Sequence, residues 1–235
     1  LRYRYRFNIL NCAKPDSQFN NGLRPVMYSH LDAERKEIGW RHVGDDICYY
    51  KNSYPNAGAP HIRVQAFCAC RMPAACALQR SITILAAKFT ECYYTCTFTV
   101  EFANAGDICR IAHTFPYTMS DHRAHMQHLE STRTTAAHVR RTALCRTLAG
   151  QQCDLITLTD FSASTEVMRQ RRIIVLSARV HPGETGASYM MRGVLDYLTG
   201  SSKRAQYLRR EFVFKIVPVL NPDGVSCGNY RTSLS

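Results

Sequence analysis

The sequence predicts an α/β half-domain, with a mixed and largely parallel sheet and flanking helices, preceded by an antiparallel β-sandwich domain. Three observations support this fold class. Residues 173–178 form an apolar, mostly β-branched run, which is typical of a strand buried on both faces of a parallel sheet. Residues 185–198 place apolar side chains on one face of a helix. Residues 3–12 and 92–102 instead alternate apolar and polar residues, as antiparallel strands do.

The first predicted domain covers residues 1–115 and consists of short strands separated by turn residues. Further strands are expected near 25–31, 39–42, 47–51 and 108–115. The segment from about 55 to 90 is rich in Cys and Ala and shows no clear alternation. It is predicted to be a weakly structured insertion in the sandwich.

The second predicted domain covers residues 116–235 and begins with a helix. Ser120 can cap a helix that starts at Asp121, and this helix is expected to continue to about Leu148 and to stop at Gly150. It carries histidines at three-residue spacing, namely His122, His125 and His128. A metal-binding face is one interpretation of that spacing, but solvated helix histidines are the preferred one. A strand is expected at 155–161 and a polar loop at 162–172.

Strand 173–180, helix 185–198 and strand 212–220 predict a βαβ unit, which gives parallel strands. Both strands then end at the same edge of the sheet, where ligands bind in open α/β folds. The sequence HPGE, at 181–184, and the sequence NPDG, at 221–224, should therefore share one crevice. The residues of NPDG suit a type I turn.

His181 and Glu184 are the candidate metal ligands. An imidazole and a carboxylate at the mouth of a buried strand supply two of the three protein ligands of a His2Glu zinc site. Pro182 and Gly183 favour a tight turn that points both side chains at one spot. The alternative stays open at this point, because His-x-x-Glu pairs are common on protein surfaces and Glu184 also suits the start of a helix.

Arg231 follows ten residues after Asn221 and is the candidate catalytic arginine. A guanidinium beside a zinc-activated carbonyl can stabilise the oxyanion that develops there. Taken alone, an arginine in a basic chain is more often a solvated surface residue.

Composition restricts the partners and the location of the chain. Thirty Lys and Arg residues against 18 Asp and Glu give a net charge of +12, which attracts polyanions such as acidic peptide tails or nucleic acid. Nucleic acid is the less favoured partner because no nucleic-acid-binding motif is present. No apolar run approaches the ~20 residues that span a bilayer, so no membrane association is expected. Eleven cysteines without a visible secretory signal indicate reduced thiols and a cytoplasmic location.

Several strings together resemble one family. SARVHPGET, FKIVPVLNPDGV and GNYRTSL are similar to the cytosolic carboxypeptidases, M14-type zinc metallocarboxypeptidases that trim glutamates from tubulin and other acidic tails. YRFNILNC, SQFNNGLRPVMYS, GDDICYYKN, YYTCTFTVEF and FPYT resemble the β-sandwich domain that precedes the catalytic domain in that family. The resemblance spans nearly the whole chain, apart from the stretch around 55–90, which looks extra.

The resemblance implies a cofactor, site residues and partners. His181 and Glu184 match the first two ligands of Zn2+, and Arg231 matches the arginine that polarises the scissile carbonyl. The substrate-binding residues are then Asn221, Asp223 and Arg231, with the loop from Asn221 to Gly224 shaping the site. The implied partners are acidic peptide tails, including tubulin and microtubules. The implied location is the cytoplasm, with cytoskeletal association as a further expectation.

The sequence also departs from the family pattern. The family places its third zinc ligand, its general-base glutamate and the Asn-Arg pair that holds the substrate carboxylate after the NPDG region, and none of the nine histidines here matches that third ligand. We therefore expect the chain to be part of a longer protein, and by itself to bind zinc weakly and hydrolyse little. The alternative interpretation is a non-catalytic module that binds acidic tails or nucleic acid.

Overall fold

The computed structural model describes residues 3–55, 64–68 and 92–234. The chain divides into two units, Leu1–Phe115 and Pro116–Ser235, and each has its own cluster of buried apolar side chains. Within the described residues, no helix combines the length and apolar composition that a bilayer crossing needs.

The described part of the first unit contains two antiparallel sheets. Its elements are β1 (Tyr3–Cys12), a 3-10 turn (Gln18–Asn21), β2 (Val26–Ser29), α1 (His30–Lys36), β3 (Arg41–His42), β4 (Asp45–Pro55), β5 (Val64–Cys68), β6 (Cys92–Phe102) and β7 (Cys109–Ala112). One sheet has the strand order β4-β6-β1-β5 and the other has the order β3-β2-β7. All the strand pairs in both sheets are antiparallel.

Both sheets contribute to the core of the first unit. Phe98 and Val100 of β6 pack in one cluster with Met27 of β2. The other face of β6 is also buried, and there the Thr97 hydroxyl donates a 2.6 Å hydrogen bond to the side chain of Asn8. A core shared by two sheets is what a sandwich requires. The description of this unit as a sandwich stays a prediction.

Part of the segment predicted to be an insertion belongs to a sheet. β5 pairs with β1, from Tyr5 opposite Cys68 to Ile9 opposite Val64. These five residues are therefore a strand rather than a weakly structured stretch. The rest of that prediction falls on residues 56–63 and 69–91, which lie outside the described residues.

The second unit has one four-stranded sheet with helices. Its elements are α2 (Met119–Ser131), α3 (Arg133–Ala136), β8 (Val139–Arg146), β9 (Gln152–Leu158), α4 (Thr165–Gln170), β10 (Arg172–Ser177), α5 (Thr185–Thr199), α6 (Lys203–Glu211), β11 (Phe212–Val217) and α7 (Pro222–Cys227). The strand order is β10-β11-β9-β8. β10 and β11 are parallel, whereas β11–β9 and β9–β8 are antiparallel. The sheet is mixed, as predicted, but among the described strands it is not largely parallel.

The predicted βαβ unit is confirmed. β10 and β11 run in parallel register from Arg172 opposite Phe212 to Ser177 opposite Val217, and α5 connects them by way of α6. Apolar residues of α5, including Leu195, are buried against Ile216 of β11. Both strands consequently end at the same edge of the sheet.

β10 is an edge strand, and the prediction that both of its faces are buried is wrong for the described residues. Ile174 and Leu176 pack against the core that contains α2 and α5. On the opposite face, Ile173 is 64% exposed and Val175 is 71% exposed. An apolar run indicates that a strand is at least partly buried. It does not show whether other elements cover both of its faces.

The long helix predicted to reach about Leu148 ends at Ser131 instead. Residues 139–146 form β8, which pairs with β9 in a hairpin. The hairpin is closed by a hydrogen bond from the Thr147 amide to the Gln151 carbonyl, 2.9 Å long, and by Gly150 at φ 77°. Gly150 therefore lies in a hairpin turn and does not end a helix. A glycine with a left-handed backbone suits both positions, so the sequence alone did not distinguish them.

Two helix starts also differ from the predictions. α2 is capped by Thr118, whose hydroxyl accepts from the Asp121 amide, and not by Ser120. The Asp121 carboxylate accepts from the Thr118 amide in return, which completes a capping box. Within the predicted loop at 162–172, Ser164 caps the short helix α4.

Candidate metal centre

The segments that follow β10 and β11 remain hydrogen-bonded to each other. The Ala178 amide donates to the Val217 carbonyl at 3.0 Å, and the Ala178 carbonyl accepts from the Leu220 amide at 2.9 Å. The Asn221 amide then donates to the Arg179 carbonyl at 3.2 Å. These bonds continue the strand pairing past the ends of the strands. The HPGE and NPDG segments therefore lie next to each other, as the predicted topology requires.

His181 and Glu184 lie on a tight turn. The Glu184 amide donates to the His181 carbonyl at 3.1 Å, which is the i to i+3 bond of a β-turn. Glu184 is also the N-cap residue directly before α5. The predicted turn is confirmed, and it brings an imidazole and a carboxylate to one end of the sheet.

Arg231 lies beside both candidate ligands. Its Nη2 donates to Glu184 Oε1 at 3.1 Å, and its Nη1 lies 3.5 Å from His181 Nε2. One guanidinium therefore contacts both the imidazole nitrogen and the carboxylate oxygen, which places the two side chains near each other. The side chains of Arg231 and Glu184 are each about half exposed, so this site is open to solvent.

Two glycines allow the segment that carries Arg231 to approach the turn. The Gly183 amide donates to the Tyr230 carbonyl at 2.8 Å, and a Cβ on Gly183 would lie 2.5 Å from the Tyr230 ring and 2.9 Å from its carbonyl oxygen. A Cβ on Gly224 would collide with the Thr232 carbonyl and with the Pro182 ring. Gly183 thus serves a close backbone contact in addition to the turn that its sequence predicted.

Asn221 links the two segments and also caps a helix. Its side-chain amide donates to the Val180 carbonyl at 3.3 Å, and its side-chain oxygen accepts from the Gly224 amide at 3.0 Å. Residues Pro222 to Cys227 form α7, with the proline at the first helical position, where proline is favoured. The isolated type I turn predicted for NPDG is therefore the first turn of a helix.

Asp223 faces away from Arg231. Its carboxylate is buried and accepts a 2.5 Å hydrogen bond from the Thr147 hydroxyl and a 3.3 Å bond from the Ala149 amide. Both donors belong to the turn between β8 and β9. The structure thus brings His181, Glu184 and Arg231 together and places Asn221 beside their segment. The Asp223 carboxylate instead connects α7 to the turn between β8 and β9.

Arg179 was not singled out by the sequence analysis. This residue is only 4% exposed, and burial lowers the pKa of its guanidinium from the ordinary value for arginine. It donates to the Pro182 carbonyl at 2.9 Å, to the Ser188 hydroxyl at 2.8 Å and to the Tyr117 carbonyl at 3.1 Å. The signal available in the sequence was a charged residue inside an otherwise apolar segment, two positions before His181.

The histidines of α2 do not form a metal face, and two of them are not solvated as expected. His122 Nε2 lies 3.0 Å from an Asp154 carboxylate oxygen, and His125 Nε2 lies 2.7 Å from an Asp196 carboxylate oxygen. Both imidazoles are buried, whereas His128 is exposed. Polar residues can face a core when partners on other elements satisfy them, and sequence spacing does not reveal those partners.

The donors at the turn fit part of a zinc site. An imidazole nitrogen and a carboxylate oxygen are donors that zinc accepts, and His181 and Glu184 place one of each beside the same guanidinium. Across the described residues, no group of three His, Cys, Asp or Glu side chains could hold a metal ion. These residues can therefore supply two protein ligands, with Arg231 as a neighbouring cation.

The chain is similar to known carboxypeptidases in sequence. The zinc carboxypeptidase family model matches residues 123–235. The chain is 43% identical to cytosolic carboxypeptidase 1 of Gallus gallus, over 98% of this chain and 17% of that protein. It is 40% identical to cytosolic carboxypeptidase 4 of Homo sapiens, over 98% of this chain and 19% of that protein. The chain thus spans less than a fifth of the length of these two relatives.

Two crystal structures share the fold. A metallo-carboxypeptidase from Burkholderia cenocepacia superposes with a TM-score of 0.59 at 19% identity, over 99% of this chain and 50% of that chain. A metallo-carboxypeptidase from Pseudomonas aeruginosa gives a TM-score of 0.55 at 18% identity, over 98% of this chain and 49% of that chain. With sequence identity above 40% to named relatives along 98% of its residues, and a matching family model over the segment that holds His181 and Glu184, this chain belongs to the cytosolic carboxypeptidase family of zinc metallocarboxypeptidases.

Proposed function

We propose that the chain contributes to a zinc metallocarboxypeptidase that removes C-terminal or side-chain glutamates from acidic protein tails, such as those of tubulin. One observation carries the proposal: His181 and Glu184 converge on a single guanidinium at the carboxyl edge of β10 and β11. Ligand sites of open α/β sheets form at that edge. Family membership supports a peptidase rather than another zinc hydrolase.

Each residue at the turn has a proposed role. His181, through Nε2, and Glu184, through its carboxylate, bind zinc, which when bound polarises a carbonyl and lowers the pKa of water. Arg231 donates hydrogen bonds to the oxygen of the scissile carbonyl, where negative charge develops. Asn221 is the proposed substrate-binding residue beside the turn. Asp223 was also predicted to bind substrate, but its carboxylate is buried and accepts hydrogen bonds from Thr147 and Ala149, so its proposed role is to hold α7 in position.

We further infer that the 235-residue chain by itself binds zinc weakly and hydrolyses little. The described residues offer no third ligand beside His181 and Glu184. They also place no free carboxylate at the turn to accept a proton from water, since Glu184 is itself a candidate ligand. A protein that adds a histidine and a glutamate at this edge completes the site.

The proposed substrates and location follow from charge and family. A net charge of +12 favours acidic tails, with tubulin and microtubules as proposed partners. The relatives are named cytosolic, which supports a proposed location in the cytoplasm, and cytoskeletal association is proposed with it. The proposed domains are 1–115, as a β-sandwich, and 116–235, as the first part of the carboxypeptidase domain.

Zinc binding by matched variants tests the proposal. The chain is titrated with Zn2+ against a chromophoric chelator, as wild type and as His181→Ala, Glu184→Gln and His128→Ala. Loss of either ligand should weaken binding by at least about ten-fold, because two-ligand sites have no redundancy. The exposed His128 should be neutral. Equal affinity in all four proteins would rule out the proposed site.

Activity is tested with a longer version of the protein. It should release glutamate from peptides that end in several glutamates, and His181→Ala should abolish the release while leaving the first unit folded. Full turnover by His181→Ala would refute the assignment. Zinc near zero in an intact longer protein would also argue against catalysis.

A non-catalytic binding module is the second candidate function. The observations in its favour are the basic charge and the two-ligand site of the described residues. Such a module would bind acidic tails or nucleic acid without hydrolysing them. It is favoured if the longer protein binds polyglutamate peptides but releases no glutamate in the presence of zinc.

A further inference from the structure

Arg179 is a buried cation without an acidic partner. The residue is 4% exposed, and among the described residues no carboxylate lies within ion-pair distance of its guanidinium. A charged side chain inside a protein is normally paired with an opposite charge, because loss of hydration is costly. Here three neutral oxygens accept its hydrogen bonds instead. A plain hydrophobic side chain would avoid this cost, so the guanidinium must supply something specific.

The backbone conformation of Arg179 also indicates a specific role. Its φ is 54°, in the left-handed region that disfavours any residue with a Cβ. Glycine would adopt this conformation freely, yet the position carries a long charged side chain. Strain retained at a special backbone position often marks a site where geometry matters.

The three acceptors belong to three different segments. Pro182 lies between the two candidate zinc ligands, Ser188 lies in the first turns of α5, and Tyr117 lies where the chain enters the second unit. One rigid planar group therefore forms hydrogen bonds to the ligand-bearing turn, to the helix that follows it and to the segment around Tyr117. Guanidinium is suited to this because its donors are fixed in a fork.

We propose that Arg179 is a positioning residue that holds the turn from His181 to Glu184 in its metal-binding shape. The inference rests on the proposed zinc site. Groups that orient metal ligands without touching the metal typically change its affinity by about 10- to 100-fold when they are removed. Arg179 acts through the Pro182 carbonyl, so it fixes the backbone between the two ligands and thereby the separation of their side chains.

Arg209 provides a matched control. It is also 4% exposed, and its Nη1 donates to the carbonyls of Leu198 and Gly200 at the far end of α5. Both arginines are thus buried, and both donate hydrogen bonds to neutral oxygens, including one at each end of α5. They differ in that only Arg179 contacts the ligand-bearing turn. Loss of stability alone should affect the two variants alike.

The experiment compares Arg179→Lys, Arg209→Lys and His181→Ala with the wild-type 235-residue chain. Zn2+ affinity is measured by chelator competition, thermal unfolding is measured without metal, and the visible absorption of bound Co2+ reports ligand geometry. We expect Arg179→Lys to weaken Zn2+ binding by at least about ten-fold and to alter the Co2+ spectrum. Arg209→Lys should lower the unfolding temperature to a similar extent but keep wild-type affinity and spectrum.

The outcomes separate this inference from the proposed function. If His181→Ala binds zinc as the wild type does, the proposed zinc site is refuted, and the proposed role of Arg179 is refuted as well. If His181→Ala loses binding while Arg179→Lys keeps both affinity and spectrum, only the positioning role is overturned. Should Arg179→Lys fail to fold, Ser188→Ala decides: affinity weakened by more than about two-fold supports the role, and unchanged affinity refutes it.

Discussion

At the scale of single residues, Arg231 places a positive charge next to both candidate zinc ligands. Its guanidinium pairs with Glu184 at 3.1 Å and lies 3.5 Å from His181. A cation at this position competes with a metal ion for the same two donors. It can also serve catalysis, because the same hydrogen bonds can be given to a substrate carbonyl. Arg231 should therefore weaken zinc binding but promote catalysis, and the two effects can be measured separately.

We predict that Arg231→Gln raises the Zn2+ affinity of the chain and lowers turnover in a longer, active version. The expected gain in affinity is about 1.4- to 5-fold, since a half-exposed ion pair contributes about 0.2–1 kcal/mol. Chelator competition measures the first effect and kcat measures the second. Arg204→Gln, on an exposed face of α6, is the control for the loss of one positive charge. Lower zinc affinity in Arg231→Gln would contradict this prediction.

At the scale of elements, a buried contact between the His122 ring and the Asp154 carboxylate joins α2 to the hairpin of β8 and β9. Burial alone would raise the pKa of Asp154, but hydrogen bonds from His122 and Gln152 and the charges of His122 and Arg141 outweigh it. The pKa of Asp154 therefore lies below its usual value. The pair extends from His122 Nε2 to the Asp154 carboxylate over 3.0 Å.

This lowered pKa gives a pH dependence with a definite sign. The stability that Asp154 contributes is present above its unfolded pKa of about 4 and is lost as the pH falls through its lower folded value. Protection of residues 139–158 against hydrogen exchange, relative to the intrinsic exchange rate at each pH, should therefore fall below about pH 4 in the wild type. In Asp154→Asn this fall should be smaller, and at pH 7 the variant should be less stable by about 1–3 kcal/mol.

Glu130→Gln, on α2, is the control for an exposed contact between the same helix and the same hairpin. Glu130 pairs with Arg141 at 2.9 Å but is 38% exposed, so water already solvates it. Its removal should leave the acid response of the hairpin close to that of the wild type. An acid response that is unchanged in Asp154→Asn would show that other carboxylates govern this hairpin.

The sequence predicted elements best where a local pattern and the tertiary environment agree. Helix α5 and strands β1, β6 and β11 were located from periodicity, and the βαβ unit followed from them. Strand β8 was missed because residues 139–146 carry three arginines and end in a solvated hairpin, so their alternation is weak. Pairing with β9, which no local pattern reports, decides their conformation.

The candidate site divides in the same way. His181, Glu184 and Arg231 were predicted from short motifs at strand ends, and the structure brings them together. Arg179 was missed because its role depends on carbonyls of three separate segments. Its left-handed backbone is likewise visible only in the structure. Side chains that act by contact with distant backbone leave little trace in sequence.

At the scale of the whole molecule, the charge of +12 sets how the chain meets its partners. Attraction between exposed charges is screened over about 8 Å at physiological ionic strength, so binding that depends on it weakens as salt increases. An acidic peptide and a nucleic acid are both polyanions and would both show this salt dependence. Charge alone therefore does not distinguish the proposed peptidase from the alternative binding module, and a comparison of ligands is required.

We predict that a peptide of ten glutamates binds the chain and that its affinity falls by about ten-fold or more between 50 and 200 mM salt, because the attraction acts through screened charges. The same peptide with glutamine in place of glutamate is the control and should not bind. Fluorescence anisotropy measures both, together with a single-stranded oligonucleotide of equal charge. Tighter binding of the oligonucleotide would favour the nucleic-acid module, because a site built for carboxylates gains nothing from stacked bases. Salt-independent binding of the glutamate peptide would show that local contacts, rather than the basic surface, hold the acidic tail.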